Sequence, residues 1–148
     1  MRTRLLLLLA LSSFALAVSG CGALRAATAR QTYIQNHVRD HVYERPLAQI
    51  WPDARQLLFE KGWEVKDTGE GTFTLETDWR YGGDGKHAER YLVQGVEVDA
   101  HSSKVMFTRT DQFGGKRDLN MEWELLQRVD PGLSAQIKQD ADSSTRKE

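Results

Sequence analysis

A chain of 148 residues with a formal net charge of −1 has room for one domain and lacks the basic excess that a nucleic-acid partner would require. Its one cysteine excludes an internal disulfide, so stability must come from a core, to which Trp51, Trp63, Trp79 and Trp123 can contribute. There is no internal repeat and no Asn-x-Ser/Thr sequon.

In chain order, the first element is an uncharged run from Leu5 to Val18, preceded by Arg2 and Arg4 and followed by Ser19, Gly20 and Cys21. It is too short to cross a bilayer, which takes about 20 apolar residues for a roughly 30 Å hydrocarbon core. A basic start, a short apolar middle and small residues at the end predict a secretory signal peptide over residues 1–20. Val18-Ser19-Gly20-Cys21 resembles the lipobox of bacterial lipoproteins. The resemblance implies diacylglycerol attached through the Cys21 thiol, cleavage before it, and acylation of the new amino terminus. One acyl chain holds marginally and two or more hold stably, at about 0.8 kcal/mol per buried methylene. Gly22, rather than Asp, follows the cysteine. By resemblance to Gram-negative sorting, that implies the outer membrane with the domain on its periplasmic face. An ordinary signal peptide cut at the same place is the alternative. Cleavage removes two arginines, leaving 18 basic and 21 acidic residues, a net −3. That balance argues against electrostatic adhesion to anionic lipid.

Residues 21–44 read as a lipidated terminus and a partly helical stalk, because Tyr33, Ile34, His37, Val38, His41 and Val42 repeat only weakly at helical spacing. The domain is expected over residues 45–138. Leu47, Ile50, Trp51, Ala54, Leu57 and Leu58 form one helical stripe between Pro46, suited to a helix start, and Gly62, suited to its end. Pro52 should kink this helix or mark where its regular part begins. "WEVKD" is a short strand. "TFTLETDWRY" is a second, with Phe73, Leu75, Thr77, Trp79 and Tyr81 alternating toward the core. "ERYLVQGVEVDA" changes parity at Gly95, which predicts a β-bulge there. "KVMFTRTD" is the fourth strand, with Val105 and Phe107 inward. Asp118 is an N-cap for a helix carrying Leu119, Trp123 and Leu126 on one face. Asp130-Pro131-Gly132 ends or breaks that helix, and residues 139–148 read as a disordered tail.

The expected fold is therefore α+β in two layers, a four-stranded antiparallel meander packed by two helices after a helical stalk. A meander brings the end of the first helix and two glycine-rich loops to one end of the sheet. Those loops, Gly82, Gly83, Asp84, Gly85, Lys86 and His87 with Phe113, Gly114, Gly115 and Lys116, are the expected partner-binding surface. Trp51 and Trp79 are expected in the core, and Trp63 and Trp123 along a groove between helix and sheet.

No catalytic constellation is present. His37 and His41 share a helical face, but Val38 stands where a zinc protease carries its glutamate, so no metal site is predicted. His87 follows Lys86 where a phosphate loop needs Ser or Thr, and no Gly-x-Ser-x-Gly elbow occurs. Glu76 and Asp78 share a strand face with threonines and Arg80, as a solvated surface does. No cofactor and no enzyme activity are expected.

From Leu47 to Trp79, the helix with "IW", then "LLFEKGWEVKDTGEGTFTLETDW", resembles the helix-grip domain of BamC (NlpB)-type lipoproteins, accessory parts of the machinery that assembles outer-membrane β-barrels. "RYLVQGVEV" and "KVMFTRT" suit that domain's later strands. The resemblance implies a helix-grip fold and an envelope-assembly role with a protein partner, and brings no catalytic residues. It departs from the family in having one such domain and a short stalk. A periplasmic carrier of a small apolar ligand is the alternative function, since a helix gripping a curved sheet can enclose a cavity.

Overall fold

The computed structural model describes residues 22–67, 72–81 and 87–145. The signal peptide, Val18, Ser19, Gly20 and Cys21 lie outside the described residues, as do Gly82 to Lys86. The protein is α+β, with four helices and an antiparallel sheet of six strands among those residues.

Helix α1 spans residues 22–39. Ile34 and Val38, one turn apart, are buried in the core, and Tyr43 follows them there. Its side is tied by Arg30 to Asp142, 112 residues away, and by Gln31 Nε2 donating to Asn120 Oδ1 at 3.0 Å. The expected stalk is thus a helix docked on the domain over its second half. A single pair of apolar residues is too short a stripe to announce that burial.

Helix α2, Leu47–Glu60, buries Leu47, Ile50, Ala54, Leu57 and Leu58, the expected stripe. Pro52 neither starts nor breaks it. Pro52 withholds a hydrogen bond from the Ala48 carbonyl, but both residues lie on the exposed side, where water can take its place. Gly62, at φ +77°, closes the helix. Its N–H donates to Phe59 O at 2.9 Å and the Trp63 N–H donates to Leu58 O at 3.0 Å, the paired bonds of a Schellman ending.

Strands β1 (Val65–Asp67), β2 (Thr74–Thr77), β3 (Arg80–Tyr81), β4 (Ala88–Glu97), β5 (Ser103–Asp111) and β6 (Gly114–Arg117) follow. The sheet runs β1-β2-β4-β5-β6, with β3 pairing β4 beyond the end of β2. Leu75, Thr77, Tyr91, Val93, Ser103, Val105 and Phe107 are buried along it.

Two details of register overturn the expected pattern. Leu75 opposes Val93, whereas Arg80 opposes Glu89. Between Thr77 and Arg80 the chain therefore gains one residue on β4, a bulge where one continuous strand was expected. Here the Thr77 hydroxyl, not a backbone carbonyl, accepts from the Tyr91 N–H at 2.8 Å. The slip exchanges the faces of everything after it. Tyr81 and Trp79, expected inward, are 69% and 49% exposed. Arg80 lies on the α2 side instead, still exposed, its guanidinium 3.7 Å from the Trp63 ring centroid and donating to Lys61 O at 3.1 Å.

At Gly95, conversely, there is no bulge. Pairing between β4 and β5 is unbroken from Arg90↔Thr110 to Glu97↔Ser103. Gly95 faces the helices because Leu47 occupies its side-chain space: a Cβ there would lie 2.7 Å from Leu47 Cδ2. Val96 and Val98 lie exposed.

Helix α3, Leu119–Val129, starts at Asp118, whose carboxylate accepts from the Asn120 and Met121 N–H groups. Helix α4, Pro131–Ser144, follows at once from Asp130, which caps it through Leu133 N. Ile137 and Ala141 are buried. Residues 139–144 of the expected disordered tail are therefore helix, with Ala141 buried. Residues 146–148 lie outside the described residues. The expected domain limits, 45 and 138, fall inside the packed unit.

Helices α2 and α3 pack together and on the sheet, and α4 packs on α3. Leu47, Ile50, Leu58, Leu75, Phe107, Leu125 and Leu126 fill the space between. Trp63, expected along a groove, is buried against Tyr91 with ring centroids 5.1 Å apart and also lines a groove beside α2. Trp51 is half-buried, edge-on to Phe73 at 5.5 Å.

Candidate functional site

The register sets what lies at each end of the sheet. Ala88 opposes Tyr81, and Arg90 opposes Thr110. Tyr81, Ala88 and the turn at residues 112–113 therefore lie at the same end of the sheet. The end of α2 joins them, since Arg80 bonds its Lys61 carbonyl.

At this end the described residues leave large side chains in solvent. Phe113 is 83% exposed at the tip of the β5–β6 turn, and Phe59 is 71% exposed on α2. The turn itself is fixed: Asp111 Oδ1 accepts from the Phe113 N–H at 2.7 Å, and Gly114 follows at φ +128°, which favours glycine. So Phe113 is held out by its backbone. Gly115 and Lys116, expected in a loop, lie in strand β6 opposite Thr110 and Arg109. His87 is exposed at the start of β4. A run of charges crosses the same end on the helix side, with Glu89 lying 3.8 Å from Arg80 and 3.7 Å from Arg109. On the opposite face Arg90 lies 3.2 Å from Glu76 and over the Trp79 ring at 5.0 Å.

Beside α2, an apolar-lined groove of about 710 Å³ runs past Phe59, Trp63 and Val65. A second, polar groove of about 560 Å³ lies between the end of α1, β6 and the start of α3. Lys116 is the one predicted site residue in its lining; Arg39, Arg109 and Arg117 join it there. Sequence reasoning missed these three because they come from three separate elements.

Behind this groove is a buried polar junction. Glu122, on α3, is 3% exposed. Arg117 Nε and Nη2 donate to its two oxygens at 2.7 Å each, and the Phe107 N–H donates to Oε1 at 3.3 Å. The Glu122 carboxylate keeps the Arg117 guanidinium protonated, raising its pKa. The Tyr91 hydroxyl donates to Asp118 Oδ2 at 2.6 Å, and burial with that carboxylate raises the phenol's pKa.

The two stalk histidines do not converge. His37 Nδ1 bonds the Tyr33 carbonyl at 2.9 Å. His41 stands edge-on to Tyr43 at 4.5 Å, with its Nε2 buried and unpartnered, and burial lowers its pKa. No cluster of three or more His, Cys, Asp or Glu that could hold a metal occurs among the described residues. Of the other carboxylate pair, Glu76 faces Arg90, and Asp78 faces Lys66 at 2.5 Å.

Compared with known proteins, the chain matches no family model and no curated relative, so its own residues carry the functional reading.

Proposed function

We propose that this chain is a lipid-anchored bacterial envelope protein that binds another protein, a non-enzymatic accessory in outer-membrane or envelope assembly. On this reading Cys21 carries the acyl chains, the domain sits on the periplasmic face of the outer membrane, and the fold is a helix-grip variant like that of BamC-type lipoproteins. The lipobox-like Val18-Ser19-Gly20-Cys21 supports the anchor. The observation that carries protein binding is the sheet end where Tyr81 and Phe113 stand 69% and 83% exposed beside two hairpin connections. An exposed aromatic on a fixed turn, as Phe113 is, contributes binding area at little entropic cost.

Two experiments test it. Cys21→Ser should move the protein out of the detergent-rich phase on phase separation; a variant still in that phase removes the anchor. Periplasmic cross-linking with the wild-type chain should recover an envelope protein, and recovery of none counts against the assembly role. The apolar groove past Phe59 and Trp63 favours a second reading, carriage of a small apolar ligand. Co-purifying lipid or another apolar small molecule in place of a protein would select it.

A further inference from the structure

We propose that the groove between α1, β6 and the start of α3 binds an acidic peptide segment of a protein partner. This rests on the protein-binding reading above and names the chemistry of the partner.

The groove brings together Arg39, Arg109, Lys116 and Arg117 with one lining carboxylate, Asp118, in a chain whose formal net charge is −1. The spent charges can be told from the unspent ones. Arg117 is committed to Glu122, with Asp40 adding to the field around it. Asp118 is committed to the Tyr91 hydroxyl and to the two N–H groups it caps. Arg109 has only the 3.7 Å approach of Glu89. The Arg39 and Lys116 side chains are exposed and have no ion-pair or hydrogen-bond partner among the described residues.

The register supplies a second, independent observation. Arg109 and Lys116 are directly opposite each other on β5 and β6. Like charges at that position destabilise a strand pair. An anionic group between them would turn the repulsion into two attractions. Asn120 adds a donor: its Oδ1 accepts from Gln31 and Gln35, which leaves its NH₂ group to face a ligand.

The dimensions favour a chain segment over a small ion or a headgroup. A groove of about 560 Å³ takes several residues. It also opens beside the β5–β6 turn that carries Phe113, so one segment can meet both. Arg39 ends α1, about 25 Å along the helix from residue 22 at 1.5 Å per residue. The groove is thus far along the rod from the proposed anchor, beyond a Debye length of about 8 Å.

The test uses the full-length protein in detergent and a fluorescein-labelled ten-residue peptide of alternating Glu and Ala, read by anisotropy. Wild type should bind, and binding should weaken as salt rises. The double variant Arg39→Ser/Lys116→Glu should bind at least tenfold more weakly. Its melting temperature should hold or rise, because the substitution removes a like-charge pair and neither side chain is part of the hydrogen-bonded junction behind the groove. Arg109→Ser gives a second variant with the same expectation. Absent binding, or equal binding by wild type and variants, overturns the proposal. So does displacement of the peptide by millimolar inorganic phosphate, or preferential sedimentation with phosphatidylglycerol vesicles, which would assign the groove to a small anion or a membrane. Cross-linking separates this from the broader reading. A partner recovered equally from wild type and the double variant overturns the groove while the accessory role stands.

Discussion

Two regions flanking strand β5 solve opposite problems. Along the outer edge of β5, where α3 and Tyr43 meet it, the backbone groups of Ser103 and Phe107 are answered. Tyr43 exchanges both backbone hydrogen bonds with Ser103, the Asp118 N–H donates to Phe107 O, and Glu122 accepts from the Phe107 N–H. An exposed strand edge invites unwanted pairing, and here β6 and side chains close it. At the hairpin end the same sheet holds Tyr81 and Phe113 in solvent, and α2 adds Phe59. One region uses polar groups to complete the fold, and the other leaves apolar groups unburied. A fold can keep such a surface only if its stability is secured elsewhere, and the β5–α3 junction supplies it.

The contrast can be broken most severely at Glu122. Glu122→Ala leaves Arg117 and the Phe107 N–H without their shared acceptor, and should cost about 3 kcal/mol or more, as loss of one partner of a buried pair does. Urea unfolding would show it, and a midpoint near wild type would mean that water or another residue takes over. Asp118→Ala removes the α3 cap and the Tyr91 partner together, with an expected cost of about 1–2 kcal/mol; Asp118→Asn, which keeps an acceptor, should recover part of it.

A smaller effect is read through pH. His41 is held neutral by burial, so its folded pKa lies below 6.5. Its contribution is present above the unfolded value and is lost as pH falls through the lowered one. Urea midpoints should fall between pH 7.5 and pH 5, and His41→Phe should flatten that slope relative to wild type. The smallest effect on folding belongs to the other region. Tyr81→Ser and Phe113→Ser should change stability by no more than about 0.5 kcal/mol, yet reduce cross-linking to a partner. A large loss of stability would show that these rings support the fold after all.

Much of the fold is readable from local pattern. The α2 stripe, the Gly62 ending, the Asp118 cap and most strand positions depend on residues within a turn or two of one another. Phe113 and Lys116 were visible as candidates because glycines surround them. The faces of Trp79, Arg80 and Tyr81 were not. Strict alternation puts Trp79 and Tyr81 inward, and only the pairing with β4 reveals the extra residue that reverses them. Gly95 carries the same lesson. Alone it suggests a bulge, while its cause is the Leu47 side chain, nearly fifty residues earlier in the chain.

What the sequence by itself determined is therefore the class and the local framework: an α+β fold with an antiparallel sheet and helices packed on it. Periodicity, caps and turn residues act over short range, so they survive in one dimension. Tertiary structure alone decided that α1 docks instead of standing free, that α4 continues to Ser144, and that Arg39, Arg109, Lys116 and Arg117 share one groove. Those outcomes depend on which surfaces of separate elements meet, beyond the reach of local pattern. Weak stripes such as Ile34 with Val38, or Ile137 with Ala141, gain their meaning only from the partner that buries them.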